Sequence, residues 1–594
     1  MQNIYRLKQA RRWLMAVLSG LLLVALLTVG GSALAQDLPP TGAAAAVQSE
    51  VLQTLQEEGS ADFILVMAEQ ADLSAAYQMD WETRGWYVYN TLKETAERSQ
   101  APVIAALEAA GVRYQSFIAG NEIYVYDGSR AVLNRALWAG EIQEVRAPVE
   151  ITLAAPRFEL IQPGPAPQNQ IQATAWGISD TGAPDFWAQF GLRGEGVRVA
   201  SIDTGAQWDH PALREAYACK DNPSSPACWR DPTGVCTGGV PCDDHGHGTH
   251  TIGTMVGSDN PALPYQVGMA PGAQWIACKG CAGNTCSYVH LAACADWLVE
   301  LATDPANRPQ VVNNSWGGPG GNLWFSIKVN NWRAAGILPV FAAGNTGQQG
   351  CSTLNSPADY PGSFAVAAHD PYPNSPSFRQ IAAFSSRGPA AIGSQPYTKP
   401  NLSAPGVAIR SAVPNKNVWE SWSGTSMAAP HVAGAAALLY ACAPALRGNM
   451  TATFELLQQT ADPPVFSGSC GTPDGGLSNY TYGYGYLNVL RAGQAVCFPG
   501  TLRGQVLDGE TNLPIRGAKV VFQAGDVRRE VITDSNGNYE ILLASQKGWS
   551  VSASFPGYYS SPTVQQTVNL NQTTTYNILL TPFPYRSFLP MIGK

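Results

Sequence analysis

The chain has 594 residues, of which 45% are hydrophobic and 13% are charged. This composition supplies several buried cores, predicts roughly three or four domains and excludes general disorder. Lys and Arg total 36 against 44 Asp and Glu, a net charge of −8 without a long basic run. The charge pattern therefore gives no reason to expect nucleic acid as a partner.

The first 35 residues have the pattern of an export signal. Lys8, Arg11 and Arg12 precede an apolar stretch over residues 13–29, and Ala33-Leu34-Ala35 supplies a small-x-small cleavage site. The alternative is an uncleaved membrane anchor, for which the apolar stretch is short. We expect cleavage after Ala35, no stable membrane insertion afterwards, and a protein that is secreted or held at the cell surface.

Residues 60–150 have the pattern of a small α+β domain of the split βαβ kind. Two predicted helices alternate with four predicted strands: Phe63–Val66, Thr91–Ala110, Val112–Ile118, Ile123–Tyr126, Ser129–Trp138 and Ile142–Val145. Residues 151–172 are rich in Pro and Gln, which predicts an exposed linker that is open to proteolysis.

Residues 173–497 alternate short apolar runs with helical segments, which predicts an α/β domain with a parallel sheet. In such sheets the active residues gather at the carboxyl ends of the strands. The clearest predicted strands are Val197–Ile202, Trp275–Cys278, Val311–Asn314 and Leu338–Ala342, and the clearest helices are Tyr288–Leu301 and Met427–Tyr440.

Residues 500–582 contain strand-length segments that are separated by turn signals such as Asp508-Gly509 and Pro556-Gly557. Val520–Phe522 and Tyr539–Leu542 are typical of strands, and the whole region predicts a small β-sandwich. The apolar tail, residues 583–594, has no assigned role.

All twelve Cys residues lie between positions 219 and 497. An even number confined to one region of an exported chain predicts disulfides. The alternative is a zinc site made by four closely spaced thiols, Cys278, Cys281, Cys286 and Cys294. Spacing does not reveal the pairing, although Cys219 with Cys228 and Cys236 with Cys242 are the closest neighbours.

Three short blocks carry residues that are suited to catalysis. Asp203 ends an apolar strand, His247 stands between two glycines, and Ser426 lies among small residues at the start of an apolar helix. Taken singly, Asp203 and Ser426 also suit ordinary turn and helix caps. The three His residues at positions 245, 247 and 250 suit a zinc hydrolase as a rival, but Thr249 stands where that motif requires Asp.

Together the blocks, in the order Asp, His, Ser, resemble the subtilisin family, whose order differs from that of other triad folds. Four further blocks follow in the family's sequence: Val311–Gly318, Ala342–Asn345, Phe384–Gly388 and Ser403–Gly406. Within the family, the runs at 312–318 and 335–345 are most similar to the bacillopeptidase F branch. The resemblance covers about 320 residues and implies a subtilisin-like parallel sheet flanked by helices.

The resemblance implies a role for each matching residue. Ser426 is the expected nucleophile, His247 its general base and Asp203 the group that orients and stabilises His247. Asn345 is expected to donate its side-chain amide to the oxyanion, together with the Ser426 backbone N–H. Ser315, Trp316 and Gly317 are expected to bind substrate as an added strand, with Trp316 in the wall of the primary specificity pocket.

The same comparison bears on specificity and on cofactors. The blocks around Ser315 and Asn345 contain no carboxylate, so we expect a preference for large apolar side chains rather than basic ones. Asp243 and Asp244 either favour a basic residue one position further out or are solvated loop charges. Ala212 stands where family members often place a calcium-binding Asp. No cofactor is therefore predicted, and calcium at another position is left open.

Two flanking regions resemble known modules. Residues 60–150 are similar to the family's propeptide inhibitor, and residues 503–580 are similar to a carboxypeptidase regulatory-like domain. The chain is therefore interpreted as a secreted serine endopeptidase, made as a precursor that cuts itself between Glu150 and Thr174. Its expected partners are protein or peptide substrates and its own propeptide. The alternative is a catalytically silent surface-binding protein on the same fold.

Overall fold

The computed structural model describes residues 45–584 apart from 154–156, 159–172, 259, 372–378, 391, 393–396, 416–417, 465–467, 473–476, 498–499, 525–526, 544–547 and 570–571. The predicted signal, most of the predicted linker and the end of the tail lie outside the described residues. Two compact units divide the chain: residues up to 72 with 91–148, and residues 73–90 with 149 onward. No helix within the described ranges has the length and apolarity to cross a membrane.

The first unit is a sheet with helices packed on it. Its strands lie in the order β1-β5-β2-β4-β3, and its core includes Phe63, Leu65, Val103 and Leu133. Its elements are β1 (Ala46–Val47), α1 (Ser49–Glu57), β2 (Ser60–Met67), α2 (Trp81–Ala109, in this unit from residue 91), β3 (Tyr114–Phe117), β4 (Glu122–Ser129), α3 (Arg130–Ala139) and β5 (Ile142–Arg146).

Two features of this region differ from the sequence prediction. The sheet has a fifth strand, β1, which with helix α1 extends the fold ahead of residue 60. Helix α2 begins at Trp81 rather than at Thr91. The carboxylate of Asp80 accepts from the Thr83 backbone N–H at 2.8 Å, and this cap starts the helix before an aromatic-rich run with modest helix propensity.

The second unit is built on an eight-stranded sheet in the order β10-β12-β9-β14-β15-β16, with β17 and β18 both paired to β16. Only β17 is antiparallel to its neighbour. The sheet strands are β9 (Arg198–Asp203), β10 (Trp229–Arg230), β12 (Gln274–Lys279), β14 (Val311–Asn314), β15 (Leu338–Ala342), β16 (Phe364–Pro371), β17 (Arg379–Ile381) and β18 (Leu402–Pro405). The predicted parallel α/β sheet is confirmed.

Short strands outside this sheet form small separate sheets of two or three strands. They are β6 (Glu150–Thr152), β7 (Arg157–Phe158), β8 (Ala173–Thr174), β11 (Tyr265–Gln266), β13 (Thr285–Ser287), β19 (Ile409–Ala412) and β20 (Trp419–Ser423). The helices are α4 (Trp176–Asp180), α5 (Ala183–Phe190), α6 (His247–Val256), α7 (Tyr288–Leu301), α8 (Ser326–Ala334), α9 (Thr425–Cys442), α10 (Met450–Gln459) and α11 (Val489–Val496), with short 3₁₀ turns at Ser74–Gln78, Gly347–Gln349 and Pro444–Leu446.

The twelve cysteines form six disulfides, and none is free. The pairs are Cys219–Cys228, Cys236–Cys242, Cys278–Cys294, Cys281–Cys286, Cys351–Cys470 and Cys442–Cys497. The disulfide prediction is confirmed, and the alternative of a four-thiol zinc site is excluded because all four of those sulfurs are bonded in pairs.

The last described region is a β-sandwich of two four-stranded sheets. Trp549, Phe522 and Tyr539 lie in its core. Successive side chains of a strand point to opposite faces of the sheet, so every second side chain is buried between the two sheets. Its strands are β21 (Gly500–Asp508), β22 (Lys519–Ala524), β23 (Val527–Ile532), β24 (Asn538–Leu543), β25 (Gly548–Ser554), β26 (Val564–Thr567), β27 (Thr573–Thr575) and β28 (Ile578–Leu580).

Candidate active site

Asp203 and His247 meet at the carboxyl end of the sheet. Asp203 is the last residue of β9, and His247 is the first residue of α6. Nδ1 of His247 lies 2.7 Å from Oδ1 of Asp203, and both side chains are buried. The same carboxylate oxygen accepts from the Thr204 backbone N–H at 2.7 Å. This geometry holds the imidazole in one orientation, with its Nε2 turned away from Asp203.

Close backbone packing brings the two residues together. A Cβ atom on Gly248 would lie 2.1 Å from the backbone oxygen of Gly205, so helix α6 reaches this position only with glycine there. Gly246 has a φ of 100°, a left-handed conformation that favours glycine. Glycine is therefore favoured on the two sides of His247 for different reasons: a left-handed backbone conformation at position 246 and close backbone packing at position 248.

Asp243 holds the loop that precedes His247 through several hydrogen bonds. The sequence analysis did not predict this positioning role. The carboxylate of Asp243 accepts from the hydroxyl of Thr204 at 2.8 Å and from the hydroxyl of Thr249 at 2.6 Å. It also accepts from the backbone N–H groups of His245, Gly246 and Thr249. Asp243 is thus committed to internal contacts rather than to a substrate or to solvent.

The neighbouring Asp244 is also paired internally. It forms an ion pair with the fully buried Lys279 and accepts from the Gly283 backbone N–H at 2.8 Å. Burial raises the pKa of this carboxyl, but its hydrogen bonds and the charge of Lys279 lower it more, and the net pKa lies below the ordinary Asp value. Asp244 is nevertheless exposed to solvent, so the expectation of a solvated loop charge stays open for this residue.

The histidines differ in their electrostatics. Burial lowers the pKa of His247, but the charge and hydrogen bond of Asp203 raise it more, so the net pKa is above the ordinary histidine value. Burial lowers the pKa of His250 to about 3, and its Nε2 faces the Ile409 carbonyl at 2.9 Å. His431 is likewise buried in α9, with a pKa of about 4. His250 and His431 are therefore neutral residues that are buried in the protein core.

Ser426 is the second residue of helix α9, where its backbone N–H belongs to the unpaired first turn. Its hydroxyl donates to the Ser315 backbone carbonyl at 3.0 Å, and the hydroxyl of Ser315 donates to the Ser426 carbonyl at 2.9 Å. The Ser426 side chain is only partly buried. The Ser426 hydroxyl is therefore engaged with Ser315 in this structure.

Asn345 is oriented by the residue before Ser426. Its side-chain oxygen accepts from both the backbone N–H and the hydroxyl of Thr425, each at 3.0 Å. Thr425 in turn accepts from the Gly344 backbone N–H at 3.1 Å. With its oxygen bound on this side, the Asn345 amide directs its N–H₂ group to the other side, where it is available as a donor. The sequence motif did not indicate the role of Thr425.

A cavity beside Ser426 is lined by the predicted substrate-binding residues. Trp316 is nearly fully buried, and its indole N–H donates to the Ile202 carbonyl at 2.9 Å. The cavity is lined by the predicted residues and by others from the same loops: Ser315, Trp316, Gly317, Ala342, Gly344, Asn345, Thr346, Asn355, Thr425 and Ser426. None of these lining residues is charged.

A strand from the region before the catalytic domain completes the lining of this cavity. Residues 150–152 pair antiparallel with Thr285–Ser287, with Ile151 opposite Cys286. The ladder is extended by Leu153 N–H, which donates to the Asn284 carbonyl at 2.7 Å. Residues 151–153 line the cavity next to Ser426. The sequence analysis expected a linker here, and it did not identify Thr285–Ser287 as a binding edge.

A second short strand of the same region also pairs with the catalytic domain. The backbone of Arg157–Phe158 pairs antiparallel with Trp422 and Ser423, on the strand that leads into helix α9. Residues 150–153 and 157–158 therefore lie against two separate strands that border the nucleophile candidate.

Comparison with known proteins agrees with this geometry. The model of the Subtilase family matches residues 194–485, and the model of the carboxypeptidase regulatory-like domain matches residues 501–581. The chain is similar in fold to fervidolysin from Fervidobacterium pennivorans, a keratinolytic enzyme related to subtilisin, with a TM-score of 0.52 and 18% identity over 87% of this chain and 78% of that one.

Two relatives illustrate the sequence similarity. Bacillopeptidase F of Bacillus subtilis (strain 168) is 36% identical over 485 residues, 77% of this chain but 32% of that protein. The chain thus spans about a third of the length of bacillopeptidase F. A subtilisin of Bacillus pumilus is 31% identical over 325 residues, which are 54% of this chain and the whole of that protein.

Proposed function

Because the chain belongs to the subtilase family of serine peptidases, we propose that it is a secreted serine endopeptidase, made as a precursor that cuts itself. The observation that carries the proposal is the cavity beside Ser426, which is lined by Asn345, by Ser315–Gly317 and by residues 151–153, in a unit that also holds the Asp203–His247 pair at 2.7 Å. A catalytically silent binding protein has no need of this combination.

The chemistry follows from what peptide hydrolysis requires. The Ser426 hydroxyl oxygen attacks the carbonyl carbon of the substrate, and its proton passes to Nε2 of His247. The C–N bond then breaks, and His247 gives that proton to the leaving amine, which leaves an acyl-enzyme. Water repeats the sequence on the ester and releases the acid. Asp203 stabilises the charged His247 between the two proton transfers.

The oxygen of the attacked carbonyl becomes negative during this step. The amide N–H₂ of Asn345 and the Ser426 backbone N–H are the proposed donors to it. Because they act on a charge that exists only in the transition state and intermediate, they raise turnover more than substrate affinity.

Replacement of the proposed oxyanion donor gives a direct test. Asn345→Ala is expected to lower kcat by roughly a hundred- to a thousandfold, the scale known from subtilisin, with little change in KM. Steady-state kinetics on a peptide substrate measures both constants. The matched control is Asn345→Asp, which keeps an acceptor for Thr425 but removes the donor. If Asn345→Asp retained wild-type kcat, the residue would serve only to hold Thr425.

Self-processing is supported by the segment across the site. Ile151 and Leu153 are buried and line the cavity of Ser426, and the backbone of residues 157–158 pairs with Trp422 and Ser423, which shortly precede Ser426 in the chain. We propose that the precursor is cut within residues 153–157, inside the window that the sequence predicted.

N-terminal sequencing of the purified protein tests this proposal. The wild-type protein is expected to begin within residues 154–157, whereas the Ser426→Ala protein, purified away from other proteases, keeps the preceding residues attached. The separate 36–153 fragment, added in trans, is expected to inhibit the mature enzyme. A fully active but uncut wild-type chain would contradict the precursor proposal, and so would a folded fragment without inhibition.

A further inference from the structure

A small loop joins the catalytic end of β12 to the strand that binds the extended segment. We propose that this loop, closed by the Cys281–Cys286 disulfide, is a positioning device that holds the substrate-binding edge ready for an extended substrate. The inference rests on the proposed peptidase function and adds a determinant of substrate length. None of the catalytic motifs contains either cysteine.

The disulfide lies directly behind the binding edge. Cys286 is the central residue of the edge strand and faces Ile151 of the bound segment. Its partner Cys281 follows β12, and both residues are fully buried. Between them the chain makes a tight turn, in which Ala282 and Thr285 exchange two backbone hydrogen bonds of 2.9 and 3.0 Å.

The loop is also fastened to the catalytic residues. The Cys281 backbone N–H donates to the carbonyl of Asp203 at 3.1 Å. Asp244 accepts from the Gly283 N–H at 2.8 Å while it pairs with the buried Lys279. The position of the edge strand is therefore set relative to Asp203 by one covalent bond and two polar anchors.

These anchors matter because the edge is short. It has three residues, and in the described structure it pairs with residues 150–152 in a two-stranded sheet. A short free loop loses conformational entropy when a peptide orders it, and this loss weakens binding. A disulfide that closes the loop removes most of that freedom before the substrate arrives. The benefit applies only to substrates long enough to pair with the edge.

A comparison of long and short substrates thus distinguishes a positioning role of the Cys281–Cys286 disulfide from a general contribution to the stability of the fold. The test compares the wild type with Cys281→Ala/Cys286→Ala on two substrates, both measured as kcat/KM on the mature enzyme. The long one has four residues before the scissile bond, in the order of residues 151–154 of this chain. The short one is an acetylated ester of a single alanine. The short substrate reaches Ser426 but not the edge.

For the double variant, we expect kcat/KM on the long peptide to fall about tenfold, mainly through KM, with less than about a twofold change on the ester. The control is Cys442→Ala/Cys497→Ala, which removes a disulfide at the far end of helix α9. Its expected effect is equal on the two substrates. Equal losses in the Cys281–Cys286 variant, or a length-dependent loss in the control, would overturn the proposal.

A second variant covers the case in which the first does not fold. Asp244→Ala keeps the disulfide but removes the polar anchor at Gly283, and we expect a loss on the long peptide that exceeds the loss on the ester. An equal effect on both substrates would count against the positioning role. Failure of the peptidase function itself is distinguishable, because the wild type would then hydrolyse neither substrate in a Ser426-dependent manner.

Discussion

Ser426→Ala is expected to abolish peptidase activity, with a loss of about a millionfold in kcat, the magnitude known from subtilisin. The alanine side chain cannot form the acyl-enzyme, while binding and the oxyanion donors remain and leave a small residual rate. The measurement is turnover of a peptide substrate by a preparation free of other proteases. A serine-directed fluorophosphonate should label the wild type and leave the variant unlabelled.

The matched control for this experiment is Ser421→Ala, on strand β20 just before helix α9. It removes a hydroxyl close to the site but outside the proposed triad, and activity near that of the wild type is expected. If Ser426→Ala kept more than a few per cent of turnover, or if the fluorophosphonate labelled it, another residue would be the nucleophile. The zinc-hydrolase alternative predicts sensitivity to chelators and resistance to this reagent.

Asp203→Ala is expected to lower kcat by about ten-thousandfold, again on the scale of subtilisin. The substitution removes the 2.7 Å contact that orients His247 and the charge that stabilises its protonated form. Asp221→Ala is the control, since it removes an exposed carboxylate from a surface loop of the same unit. Comparable losses in both variants would show that net charge, rather than the contact with His247, is responsible.

The pH dependence of kcat/KM tests the same contact without relying on the size of the loss. His247 must be neutral to accept the Ser426 proton, and Asp203 raises its pKa above the ordinary histidine value of about 6.5. In the wild type, activity is therefore expected to fall as the pH drops through a value above 6.5. Without Asp203 the two largest influences that raise the pKa are lost, and burial is opposed only by the weaker effect of the Asp243 charge, so the acid limb of the residual activity should move to lower pH. A limb that stayed in place would contradict the assignment.

The elements that carry the chemistry were predictable because each is marked locally. Asp203 ends a buried strand, and His247 and Ser426 each begin a helix rich in small residues. The predicted strands Val311–Asn314 and Leu338–Ala342 and the helix Tyr288–Leu301 have the predicted bounds. Apolar runs and the turns between them depend on neighbouring residues, which sequence patterns capture well.

Features that depend on distant pairing were not predictable. The edge strand Thr285–Ser287 is too short to show a period, and its partner lies far away in the sequence. The disulfide pairing is likewise set by the fold, because four nearby thiols allow several combinations. The carboxylates of Asp243 and Asp244 look alike in the sequence, yet one binds backbone N–H groups and the other a buried lysine. Only the tertiary structure distinguishes them.

The pairing of residues 150–153 and 157–158 with the catalytic unit has a consequence for the timing of the proposed self-cleavage. Because residues 150–153 and 157–158 already pair with the catalytic unit of the same chain, the proposed first cut does not wait for an encounter between molecules. Its rate should be first order in precursor, with a half-life that is the same in dilute and in concentrated solution. Under the proposed self-cleavage the precursor would need no activating protease, and the completion of its own folding would set the moment at which it matures.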